Sequence, residues 1–130
     1  MLAVFSPLEG VADPDYALPP FRESDAFQRY LRGPRTELAK LLFLINRFRD
    51  TEYQVIFNGN TYDANTAVKY ARDFIYKRYR HEPAERWVKI HAYRSDPGGK
   101  IIYLKNPEGA MRPVRDALLE ELDALNHSVL

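Results

Sequence analysis

Three histidines, four serines and no cysteine are the nucleophiles and bases from which this 130-residue chain could build a reactive centre. The missing thiol excludes a thiolate nucleophile, a thiolate metal site and a disulfide framework. His81, His91 and His127 show no metal-ligand spacing and no His-Glu-x-x-His pattern, so a zinc hydrolase finds no support. None of Ser6, Ser24, Ser95 and Ser128 lies in a nucleophile elbow. Ser95-Asp96-Pro97-Gly98-Gly99-Lys100 has the glycines and lysine of a phosphate loop. It runs from helix to strand, however, where a nucleotide loop runs from strand to helix, so a glycine-rich turn is the better reading. Glu120-Glu121 and the Asp13/Asp15 pair fall on a solvent face and in a loose arm, away from surroundings that would shift a carboxyl into acid and base roles. His91, Tyr93, Ser95 and Asp96 are the one cluster with the makings of a small hydrolase or transferase cleft, and they form the enzyme alternative. No motif calls for a cofactor or a metal.

Cations and rings form a second constellation. The total of 19 basic against 18 acidic side chains hides an uneven distribution, because residues 66 to 105 carry ten Lys/Arg and four Asp/Glu. An acidic partner would therefore prefer this stretch. Tyr70, Tyr76, Tyr79, Trp87 and Tyr93 are interleaved there with basic residues, as in surfaces that stack single-stranded nucleic acid. Tyr79 and Trp87 fall on the expected core side, and no recognition-helix or RNA-binding strand motif accompanies them, so nucleic acid is the weaker reading. A protein interface suits Tyr and Arg better. The candidate binding residues are Lys69, Arg72, Tyr76, Arg80, Arg86 and Arg94, on a non-enzymatic interaction module.

These side chains need a frame, and the hydrophobic periods supply one. Ser24 caps a short helix through Phe27, Tyr30 and Leu31 that stops at Gly33-Pro34. Leu38, Leu41, Leu42, Ile45 and Phe48 recur at three and four residues, which predicts a helix over about 35 to 49 with Glu37, Lys40, Arg47 and Arg49 toward water. The period then drops to two at Tyr53, Val55 and Phe57, and Asn58-Gly59-Asn60 turns the chain into a returning strand at Thr61-Tyr62. Asp63 caps a helix whose stripe is Ala64, Ala67, Val68, Ala71, Phe74 and Ile75, ending near Arg80. Pro83 opens a helix with Trp87, Val88, Ile90 and Ala92 as its apolar side. Ile101 to Leu104, the turn Asn106-Pro107-Glu108-Gly109 and Ala110 to Arg112 form a second hairpin. The last helix starts near Pro113 and buries Val114, Ala117, Leu118, Leu122 and Leu125, with Glu120, Glu121 and Asp123 outside.

The expected fold is thus α+β: two β-hairpins forming a small antiparallel sheet packed against about four helices. Residues 35 to 80 and 84 to 126 read alike, which suggests a pseudo-repeated αββα unit. A chain of this length removes about 65% of its unfolded surface from water, enough for a core without staples. Residues 23 to 127 are read as one domain, and residues 1 to 22, with Pro7, Pro14, Pro19 and Pro20, as an extended arm. Met1 to Phe5 is apolar but too short for a complete export signal or a membrane span.

In this order the motifs resemble a family of small uncharacterised bacterial proteins, often exported, that includes the YfeK-like domain of unknown function. Leu38 to Phe48 is similar to its leading helix, Phe57-Asn58-Gly59-Asn60-Thr61-Tyr62 to its hairpin, and Asp63 with Ala64, Ala67 and Val68 to its capped helix start. Trp87-Val88, the turn from Ser95 to Lys100 and Val114 to Leu122 continue the series. Thr66 replaces the usual Glu/Gln capping partner, and Ala117-Leu118 a Trp-Leu pair. The resemblance implies a periplasmic location and supplies no catalytic residue; a cytoplasmic one stays open, since no intact signal peptide is present.

Overall fold

Asn58 and Gly59 both adopt positive φ, 52° and 82°, the backbone of a two-residue turn whose twist matches that of its flanking strands. In the computed structural model, which describes residues 18 to 95 and 98 to 128, this turn joins β1 (Gln54–Phe57) to β2 (Asn60–Asp63). A second hairpin joins β3 (Tyr103–Lys105) to β4 (Met111–Pro113). Its loop is held by Asn106, whose Oδ1 accepts from the amides of Glu108 (3.0 Å) and Ala110 (2.9 Å), while Gly109 takes a φ of 94°. The hairpins pair through β1 and β3, with Val55 opposite Leu104, into a four-stranded antiparallel sheet of order β2-β1-β3-β4. The expected α+β fold is present. β2 and β4 are the edges, and Pro113 lies at the end of β4, where the amide it lacks is least needed.

Five helices complete the fold: α1 (Asp25–Arg32), α2 (Glu37–Asn46), α3 (Ala64–Arg78), α4 (Ala84–His91) and α5 (Val114–Ser128). The order helix, hairpin, helix occurs twice, from α2 to α3 and from α4 to α5. Local chemistry sets the starts. Ser24, Thr36 and Asp63 each accept an amide hydrogen bond three residues on, at 3.1, 3.1 and 2.8 Å. The Asp63 carboxyl is held below its usual range by the Thr66 backbone amide, then by the Thr66 side chain. Pro83 precedes α4, and the free amide of Ala84 is taken by the Glu37 carboxylate at 2.7 Å, tying the starts of α2 and α4 together.

Leu41, Ile45 and Phe48 are buried as their spacing requires, but α2 is a central helix with two buried sides. Phe43 and Leu44, absent from the expected stripe, are among its most deeply buried residues. The second side is covered by α1 and by a 3-10 turn at Phe21–Glu23: Phe43 packs against Phe21 (5.4 Å between centroids), Tyr30 (6.0 Å) and Phe27 (6.4 Å). Of the expected arm, residues 1 to 17 lie outside the described residues. Residues 18 to 22 pack onto the domain, with Leu18 buried and the Pro19 carbonyl accepting from Arg47 at 2.7 Å.

Two side chains assigned to solvent are in the core. Arg47 Nε donates to Glu121 Oε1 at 2.7 Å, with side-chain exposures of 5% and 10%. The correction has one physical cause, since two charges facing each other across α2 and α5 satisfy one another where neither could be buried alone. Ile90 departs the other way. It is 55% exposed, because α4 turns Ala84, Trp87 and Val88 inward, and a helix of eight residues has room for one buried stripe.

Candidate functional site

The inner stripe of α3 is built from small side chains, with Ala64, Ala67 and Ala71 at helical spacing, and they do not fill the room between this helix and the sheet. A cavity of about 560 Å³ results. Val55, Tyr62 and Leu104 of the sheet form its floor, Leu44 and Ile45 of α2 and Val114 and Leu118 of α5 its far wall, and Trp87 and His91 of α4 one end. At about 24 cal/mol per Å³, a sealed void of that size would cost on the order of 13 kcal/mol. That equals the whole stability of an ordinary domain, about 5–15 kcal/mol. The space must therefore communicate with solvent or hold a guest. Tyr70 and Phe74, which line it and are 57% and 40% exposed, mark the mouth.

The lining has few side chains with polar atoms: Tyr53, Tyr62 and Tyr70 on the sheet and α3 sides, and Trp87, His91 and Ser95 at the α4 end. Trp87 and His91 stack at 4.1 Å between centroids, and Phe74 meets them at 5.8 and 5.7 Å. Burial holds the His91 imidazole below its usual range, with the Glu82 carboxylate opposing and the Arg78 guanidinium reinforcing the shift. At neutral pH the ring is uncharged, one nitrogen donating and the other accepting. Past the end of α4 the chain doubles back, with Arg94 bridging Ile101 and the Ser95 amide donating to the Lys100 carbonyl at 3.0 Å. This return brings Ser95 to the cavity wall, with its Oγ closed off behind the surface and without a hydrogen-bond partner. An unpaired buried hydroxyl costs about 1–3 kcal/mol, a cost that a suitable guest would remove.

Two groups of the enzyme alternative meet at the cavity. His91 and Ser95 both line it, yet among the described residues no base receives a proton from Ser95 Oγ, and an unactivated hydroxyl is a poor nucleophile. Tyr93 is occupied elsewhere, beneath the guanidinium of Arg115 at 3.9 Å and beside that of Arg94 at 5.2 Å. Asp96 lies outside the described residues. Among the described residues no group of three His, Asp or Glu side chains is placed to hold a metal ion.

The six candidate binding residues are spread over several elements. Lys69, Arg72 and Tyr76 are on α3, Arg86 is on α4, and Arg80 and Arg94 follow those helices. Arg80 donates to the Tyr79 carbonyl at 2.8 Å and Arg94 to the Gly99 carbonyl at 3.0 Å, so both guanidiniums are partly engaged in holding loops. At about 100° per residue, Arg72 stands roughly 200° around α3 from Tyr70, so the basic shoulder of this helix and the aromatic mouth point in different directions. The cavity itself was not anticipated. Its signal in the sequence is the alanine content of the α3 stripe, where a filled core would carry Leu or Ile.

Comparison with known protein families, with curated proteins and with solved structures finds no match. Among the described residues, no helix is long and apolar enough to cross a membrane.

Proposed function

We propose that this protein is a non-enzymatic binding module whose ligand is a small, largely apolar molecule held between the sheet and helices α2 to α5. The observation that carries the reading is the 560 Å³ cavity, a volume within the roughly 300–1,000 Å³ typical of ligand sites, with mostly apolar walls and few polar groups. The unactivated Ser95 hydroxyl favours binding over turnover. The YfeK-like resemblance adds a periplasmic setting to the proposal, and the basic shoulder at Lys69, Arg72 and Tyr76 adds a surface for an acidic protein partner.

Titration with an environment-sensitive naphthalene dye tests it. The dye should bind saturably at one site per chain, and Ala71→Trp, which places an indole inside the cavity, should abolish the signal while the protein still melts cooperatively. Charge reversal at Lys69 and Arg72 should leave dye binding unchanged. Dye uptake that never saturates, or that Ala71→Trp leaves intact, would reject the proposal.

A further inference from the structure

The walls of the cavity say something about charge. Among the described residues lining it there is no Asp, Glu, Lys or Arg, so an ionised group carried inside would lose its hydration without gaining a counter-ion. A cationic guest is disfavoured at the mouth as well, since the Arg78 guanidinium already lies 5.4 Å from the centre of the Phe74 ring. In the cavity wall, Ser95 Oγ is the one fully buried side-chain polar atom among the described residues that lacks a partner. We infer that the natural ligand is an uncharged hydrophobe carrying one hydroxyl or carbonyl group, which pairs with Ser95 Oγ at the α4 end once a rotation about χ1 turns the hydroxyl from the wall into the cavity, while the apolar body lies between α3 and the sheet. The inference rests on the cavity being a ligand site and adds the chemical class of the ligand. Ser95 reads the polar group, and its hydroxyl serves either partner, donating to a carbonyl or accepting from an alcohol. Trp87 and His91 stack on each other at this end and give the guest an aromatic wall.

A rival arrangement would put a carboxylate at the mouth beside Arg78 with its tail inward, and this leaves Ser95 unpaired. Matched ligands separate the two. With the naphthalene dye bound to the full chain at neutral pH, displacement is measured for decanol against decanoate and for 2-naphthol against 2-naphthoate. The alcohols should displace the dye on the order of a hundredfold more effectively than the acids, because only the acids must bury a charge. Ser95→Ala should weaken the alcohols by roughly two- to tenfold and leave naphthalene itself unaffected, while Ser95→Thr, which keeps the hydroxyl, should retain the preference. Acids that compete as well as alcohols, or alcohols indifferent to Ser95→Ala, would overturn the assignment of ligand class while leaving the cavity a binding site. If the dye does not bind the unaltered protein, the cavity reading itself fails and the ligand class falls with it.

Discussion

Helices α3 and α5 are both 15 residues long, and both leave directly from the second strand of a hairpin, but they meet the interior with different side chains. Counted from their first residues, Ala64, Ala71, Arg72 and Ile75 of α3 correspond to Val114, Glu121, Leu122 and Leu125 of α5. Where α3 presents alanine and leaves room, α5 presents a carboxylate that reaches Arg47, backed by Leu122 and Leu125, both buried. The N-terminal segment completes the second arrangement, with the Pro19 carbonyl on Arg47 and Phe21 stacked on Phe27 at 5.1 Å. One topology thus yields a sealed flank and an open one. Side-chain volume, one distant ion pair and the N-terminal segment that covers one flank make the difference.

The comparison can be broken most forcefully at the ion pair. Glu121→Ala leaves the Arg47 guanidinium buried against the Pro19 carbonyl and the Phe21 ring without a counter-charge, and urea unfolding should show a loss of about 3–5 kcal/mol. Replacing both partners, Arg47→Met with Glu121→Leu, should recover most of that loss, because the penalty arises from the uncompensated charge. A double variant as unstable as the single one would mean that the sealed flank depends on Arg47 for its contact with the N-terminal segment.

Packing offers a sharper and smaller contrast. Ala26→Leu on the sealed flank, where the native side chain is buried, should cost about 1–3 kcal/mol by overpacking. Ala71→Leu on the open flank has room to enter, so its melting temperature should stay at or above that of the unaltered protein. Equal losses in the two variants would show that the space beside α3 cannot accept a side chain.

The smallest effect concerns the join between the two halves. The Glu37 carboxyl is held below its ordinary value of 4.5 first by the Ala84 amide and then, against the opposing effect of burial, by Lys40. A carboxyl with a lowered folded pKa contributes stability above its unfolded value and loses that contribution as pH falls through the folded one. Thermal melts of Glu37→Gln and the unaltered protein should therefore differ most near neutrality and converge as the pH falls through the lowered folded pKa. A gap independent of pH would assign the contact to shape instead of charge.

Much of this frame was legible in the sequence. The change of period from 3.6 to 2 after Asp50, the Asn58-Gly59 turn and the Asp63 cap are local signals, and each acted where it was read. What escaped was decided at long range. Arg47 and Glu121 are 74 positions apart, and a charged residue gives no sign of burial until its partner arrives. Phe43 lies off the stripe that the period of α2 picks out, because the rings that cover it come from residues preceding α2. Ile90 fits the period of α4 but finds no element to cover it. The cavity is hardest to read, since empty space belongs to no segment; only the three alanines on one face of α3 hint at it.

Proline 113 has a consequence for the life of the protein among its copies. A sheet that ends in β2 on one side and β4 on the other could recruit strands from neighbouring chains, the route to fibrils. On the β4 side the ladder is three residues long and closes on a residue with no amide to offer, and on the β2 side it carries Asn60, Thr61 and Asp63. Both margins are poor templates for further growth, so the molecule can keep an apolar chamber in its interior without also presenting a sticky border.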